Sequence, residues 1–191
     1  MSHKNLSAEE ALEKLKDGNR RYLAAATNPG DVSPAIRQYT CENGQSPYAT
    51  VITCSDSRVI PEGIFSAGIG ELFTIRVAGN VMYHQQMGSV EYATEQIGTK
   101  LAVVLGHTNC GAVGAAVSSD PGGFVKYITD EIKKAIGEEK DPTKASCLNV
   151  KNSVAAIKES LKELVEKGEL TVCGALYHID SGEVEFLDGK K

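Results

Sequence analysis

Three short stretches of the chain are apolar at nearly every position: residues 48–54 (Y-A-T-V-I-T-C), 72–77 (L-F-T-I-R-V) and 100–106 (K-L-A-V-V-L-G). Unbroken apolar runs of this length suit strands buried on both faces, as in a parallel sheet. Between the second and third, residues 87–97 put Val90, Ala93, Thr94 and Ile97 on one face at helical spacing, which predicts a crossover helix. The spacing predicts further helices over 124–136 and 153–167, the latter stopped by Gly168. Near the N-terminus, Ser7 and Glu10 form the capping box of a helix carrying Leu12, Leu15, Tyr22 and Leu23. Residues 27–47 hold Pro29, Gly30, Pro34, Gly44 and Pro47, a pattern of turns with room for a short helix at most. The tail 170–187 reads as a strand, a D-S-G turn and a short returning strand. Strands alternating with helices give an α/β fold: a mainly parallel central β-sheet flanked by helices, an N-terminal helical arm and a C-terminal β-hairpin.

Length adds that residues 1–191 suit a single domain, with 1–47 packing on the core or on a neighbouring subunit. A net charge of −5 argues against a nucleic-acid partner. No apolar run reaches the roughly 20 residues of a membrane span, and no signal-like stretch opens the chain. The expected location is cytoplasmic. There an odd set of five cysteines argues against a disulfide framework, so each thiol is buried, metal-binding or reactive. Cys173 lies in a strand pattern and is expected to pack as a small hydrophobe, whereas Cys41 and Cys147 sit in loop-like surroundings.

The segment T-C-S-D-S-R-V needs a different explanation, because it sets Cys54, Asp56 and Arg58 at the carboxyl end of a strand. His107 falls just beyond another strand end and Cys110 follows one turn later, between Gly106 and Gly111, which let the backbone bend. In open α/β sheets, sites assemble beyond the carboxyl ends of strands, so these residues meet. Two thiolates and an imidazole favour Zn²⁺, and three protein ligands leave a fourth position open, as in catalytic zinc sites. The plainer reading is a packed strand end with a buried thiol. Asp56, within reach, would orient a zinc-bound hydroxide, and Arg58 would hold it ionised through a bidentate contact. Against this stand an ordinary Asp–Arg pair tying a turn, and a carboxylate that itself ligates zinc when Arg58 turns away.

Taken together, C-S-D-S-R-V and G-H-T-N-C-G-A resemble the motifs of the β-class carbonic anhydrases, and the similarity runs over nearly the whole chain. The resemblance implies one Zn²⁺ per chain on Cys54, His107 and Cys110, and a catalytic dyad of Asp56 and Arg58. It implies reversible hydration of CO₂ to bicarbonate and a proton by zinc-hydroxide attack. Gln45, Phe73 and Tyr92 match the substrate pocket of plant-like members. The likeness further implies a homo-oligomer, dimer or tetramer, with pocket residues shared across the interface. Val51 stands where a bicarbonate-inhibited subgroup carries Trp, and Val77 where many relatives have Asn. Gln96 stands where some plant members offer a proton-transfer His, leaving His84 as a substitute. A CS₂/COS hydrolase on the same scaffold, or a zinc-binding scaffold without turnover, remain the alternative readings.

Overall fold

The computed structural model describes residues 6–24 and 30–187. Strands β1 (Ala49–Thr53), β2 (Leu72–Arg76), β3 (Leu101–His107) and β4 (Thr171–Tyr177) run parallel, and β5 (Val184–Phe186) returns antiparallel to β4. They form one sheet in the order β2-β1-β3-β4-β5. Every residue of β1 and of β3 is buried, which explains their unbroken apolar runs. Successive side chains point to opposite faces. Leu101, Val103 and Leu105 therefore join one core layer with Val51, Phe65 and Leu15, while Ala102 and Val104 join another with Ile52, Val150 and Ile157.

The first layer is closed by α1 (Ala8–Ala24), whose capping box forms as the sequence expects. The Ser7 amide donates to Glu10 Oε2 (2.7 Å) and the Glu10 amide to Ser7 Oγ (3.1 Å). Leu15 is fully buried against the chain's own core, Leu12 and Tyr22 pack at its margin, and Leu23 points outward. Buried Asn19 ties the helix down. Its Nδ2 donates to the carbonyls of Ile64 (3.3 Å) and Gly182 (3.0 Å), and its Oδ1 accepts from the Val184 amide (3.0 Å). Beside it, Gly18 lies so close to α3 (Pro61–Ile64) and the loop after it that a Cβ there would meet the Phe65 carbonyl oxygen at 1.9 Å.

The second layer is covered by α4 (His84–Tyr92), α7 (Pro142–Ser160) and α8 (Lys162–Glu166). The predicted crossover helix begins earlier than expected, at His84, and ends in a π-turn over Ala93–Ile97. The helix expected at 153 begins at Pro142, where Asp141 Oδ1 accepts the amides of Thr143 (2.9 Å) and Lys144 (2.8 Å). It breaks at Leu161 and ends before Gly168 (φ 71). Two more helices, α5 (Gly111–Ser118) and α6 (Val125–Ile136), pack in a third cluster with Cys54 and Cys110. The α5 sequence, G-A-V-G-A-A-V-S, has no polar position before its last residue to mark a face, so its helix left no periodic signal.

The turn-rich stretch contains α2 (Pro34–Asn43), which has no buried residue, while its residues 27–29 lie outside the described residues. Cys41 and Cys147 correct the loop assignment: Cys41 is exposed on α2 and Cys147 half-buried on α7, both in regular helix. Cys173 is buried, as expected. Among the described residues, no helix is long and apolar enough to cross a membrane.

Candidate metal centre

Neighbouring parallel strands deliver the candidate ligands to one edge. Thr53 of β1 pairs with Leu105 of β3, so Cys54 emerges beside the end of β3, where His107 is the last strand residue. The chain then bends at Asn109 (φ 55), and Cys110 caps α5. The bend expected of Gly106 and Gly111 is thus carried by Asn109; those glycines lie in β3 and α5. The ligand atoms of Cys54, His107 and Cys110 all lie within 4.8 Å of one another, and all three residues are buried. The two sulfurs are 4.0 Å apart.

His107 supplies the clearest sign of a metal. Its Nδ1 lies 2.9 Å from the Thr108 carbonyl, an acceptor only, so Nδ1 carries the proton and Nε2 presents a lone pair. That Nε2 is buried and has no hydrogen-bond partner. A buried acceptor without a partner is costly, and a cation facing two thiols supplies one. Two sulfurs and an imidazole nitrogen fit Zn²⁺. The thiols are unequal. The hydrogen bond from Cys110, aided by the Gly79 amide, pulls the Cys54 thiol well below its ordinary range against burial. That same bond and burial push Cys110 up, opposed by the amides of Val113 and Ala112 at the start of α5. A cation between the sulfurs displaces the remaining proton.

The carboxylate beside the ligands is clamped by Arg58. Asp56 Oδ1 accepts from the Arg58 amide (3.0 Å) and Nε (2.9 Å), and Oδ2 accepts from Nη2 (2.7 Å). The Arg58 hydrogen bonds hold this carboxyl well below the usual carboxylate range. Arg58 Nη2 also donates to the Asn109 carbonyl (3.1 Å), joining the loops after β1 and β3. Asp56 Oδ2 stands 4.0 Å from His107 Nε2.

Two contributors escaped the sequence reading. Arg76, the last residue of β2, donates Nε to the Cys54 carbonyl (3.1 Å) and Nη2 to the Asp56 carbonyl (2.8 Å). Its signal was the single charge in an otherwise apolar strand. The Gly79 amide donates to Cys54 Sγ at 3.3 Å, and backbone donors of this kind leave no mark on sequence.

The expected pocket residues lie elsewhere in this chain. Gln45 is exposed just before β1, at the opposite end of that strand from Cys54. Phe73 pairs with Thr50, four residues before Cys54, or about 13 Å along the strand. The Phe73 and Tyr92 rings are 6.2 Å apart, with Tyr92 exposed at the end of α4. His84 opens α4 on the surface. Val77 donates its amide to the Thr53 carbonyl (3.1 Å), and Val51 is core.

Known proteins share this arrangement of fold and sequence. A family model described as Carbonic anhydrase matches residues 49–184. Carbonic anhydrase 2 of Mycobacterium tuberculosis is 31% identical over 198 residues, covering 96% of this chain and 95% of that protein. The carbonic anhydrase of Mycolicibacterium smegmatis is 33% identical over 195 residues, covering 95% and 94%. Among solved structures, the β-carbonic anhydrase CafA of Aspergillus fumigatus superposes with a TM-score of 0.72 at 26% identity, covering 82% of this chain and 83% of that one. The Coccomyxa β-carbonic anhydrase, solved with acetazolamide, gives 0.68 at 27% identity, covering 82% and 86%. With the match spanning β1 to β5, and so every candidate ligand, the chain belongs to the β-class carbonic anhydrases.

Proposed function

We propose that this chain interconverts CO₂ and bicarbonate, CO₂ + H₂O ⇌ HCO₃⁻ + H⁺, at a zinc ion held by Cys54, His107 and Cys110, with Asp56 and Arg58 as the catalytic pair. The observation that carries this reading is the bidentate Asp56–Arg58 pair, with Asp56 Oδ2 only 4.0 Å from the unpartnered His107 Nε2. Zinc with three protein ligands supplies a Lewis acid with an open position, which activates water near neutral pH.

The chain's own groups do the rest. Asp56 stays ionised, and Oδ2 keeps a lone pair for the proton of a water approaching the ligands, fixing which lone pair that water turns towards CO₂. Arg58, tethered to the Asn109 carbonyl, holds Asp56 away from the ligand cluster so that it acts on water rather than on the metal. Arg76 fixes the backbone between Cys54 and Asp56, so the carboxylate and the first thiol keep their spacing.

The pocket calls for a second copy of the chain. Gln45, Phe73 and Tyr92 sit too far along the sheet to touch CO₂ at their own metal, yet Gln45 and Tyr92 are exposed. No residue of helix α2 is fully buried in its own chain, where Ile36 and Thr40 are only half-covered, and a ten-residue helix with so little packing is marginal in water. A dimer, or a tetramer built from two dimers, in which α2 packs on the neighbour and Gln45, Phe73 and Tyr92 line the neighbour's pocket satisfies both observations. There the Gln45 amide donates to a substrate oxygen and the rings form an apolar wall.

Stopped-flow CO₂ hydration on zinc-quantified protein tests the activity. Rapid turnover with one zinc per chain is the expected result. Zinc-loaded protein that consumes COS or CS₂ but not CO₂ overturns the substrate, and loaded protein that turns over none of them overturns the catalytic reading.

A further inference from the structure

The amide that reaches Cys54 is presented by an unusual turn. Residues Ala78–Asn80 form a single 3₁₀ turn in which Gly79 (φ 68) and Asn80 (φ 45) are both left-handed. A glycine adopts this freely, but Asn80 carries a Cβ and sits there at a cost. The turn is also wedged: a Cβ on Gly79 would meet Ile132 Cδ1 at 2.8 Å and Ala112 Cβ at 3.1 Å. On its upstream side the Val77 amide is pinned to the Thr53 carbonyl (3.1 Å).

Its downstream side is held by α7. Asn149 Nδ2 donates to the Gly79 carbonyl (2.7 Å), and Ser153 Oγ donates to the Asn80 carbonyl (3.0 Å). The two side chains are one helical turn apart on the same face, 1% and 2% exposed. With both carbonyls anchored, the torsions of Gly79 and Asn80 are fixed, and with them the direction in which the Gly79 N–H points. Nothing in the packing of α7 on the sheet requires polar residues here, since its remaining core-facing positions include Val150, Val154 and Ile157.

We infer that Asn149 and Ser153 are positioning residues for the metal thiolate. Acting through the 78–80 turn, they aim the Gly79 N–H at Cys54 Sγ and so set how much charge that sulfur donates. An N–H···S bond draws electron density from the thiolate and leaves the bound metal more electron-poor. Partners beyond the ligands routinely tune metal sites in this way. The effect matters most where two thiolates already blunt the electrophilicity of the ion. The inference rests on Cys54 being a ligand, as proposed above.

The test uses full-length protein loaded with Co²⁺ in place of zinc, read by its thiolate-to-cobalt charge-transfer band and by metal affinity. In Asn149→Ala and Ser153→Ala the band moves to longer wavelength, because a thiolate without its donor gives up charge more easily. Affinity falls about tenfold even so, because Cys54 is no longer held in place for the metal by the turn. Ser153→Thr keeps the hydroxyl and stays at the parental position. Near-ultraviolet circular dichroism checks that each variant is folded. Should Asn149→Ala fail to fold, the Ser153→Ala and Ser153→Thr pair decides the matter alone. Folded alanine variants with the parental band and affinity overturn the inference while leaving the metal site intact, as does Ser153→Thr shifting as far as Ser153→Ala. No charge-transfer band in the parent overturns the thiolate ligation itself, and the inference with it.

Discussion

The two ends of the parallel sheet are built to different standards of completeness. At the carboxyl end the chain finishes its own work. Cys54, His107 and Cys110 converge, Arg58 clamps Asp56, and Arg76 ties down the carbonyls between them. At the amino end α2 lies with no buried residue, and Gln45 and Tyr92 face outward. One end holds a converged cluster of metal-ligating atoms; the other holds an exposed surface. On the proposed function, the contrast makes metal binding a property of the single chain and the substrate pocket a property of an assembly.

The sharpest way to break this contrast is to remove a ligand. His107→Ala leaves two thiols that cannot hold zinc with an open catalytic position. Metal analysis after dialysis is expected to show zinc lost and CO₂ hydration at the uncatalysed background; retained zinc with retained turnover would place the metal elsewhere. Next in size is Asp56→Asn, which keeps the shape but loses the charge. Turnover is expected to fall about 10²–10⁴-fold, the range for losing a proton-transfer partner, with zinc still at one per chain. Unchanged turnover would strip Asp56 of its role.

The amino end is tested by association. Charges placed on α2, as in Ile36→Asp with Tyr39→Asp, are expected to yield monomer by light scattering at concentrations where the parent is dimeric, with turnover falling alongside. Monomers of full activity would show that the chain completes its pocket alone. Tyr92→Ala is milder: about a tenfold loss in kcat/KM, carried mainly by KM, reports a wall contact rather than chemistry. The smallest effect concerns α7, where Asp141→Ala removes an N-cap and is expected to cost about 1 kcal/mol in denaturant unfolding. Its turnover should stay unchanged.

How much of this was legible in sequence divides along the same line. The strands announced themselves because β1 and β3 are buried on both faces and so read apolar throughout. The candidate ligands were legible because two thiols and an imidazole fall at the carboxyl ends of neighbouring strands, within two motifs that resemble a known family. Helix α5 was silent for want of polar positions inside it, but the start of α7 was not: Asp141 followed by Pro142 is an N-cap with proline at the first helical position, upstream of the spacing that begins at 153. Arg76 and Asn149 were hidden for a deeper reason. Each acts on backbone carbonyls distant in sequence, and carbonyls are identical at every position.

The notch at Gly18 bears on how α1 tolerates change. By intrinsic preference Gly18→Ala should strengthen the helix by roughly 1 kcal/mol. The carbonyl of Phe65 occupies the place where that methyl would go, so the substitution is expected to lift α1 and lower the melting temperature instead. The glycine acts as a keyway, admitting the helix in a single rotational phase. Since each added residue turns a helix by about 100°, an insertion between Leu15 and Gly18 would leave the notch engaged but swing the capping end and Leu15 off the core. Drift along α1 is therefore open to its outer side chains and closed to its length.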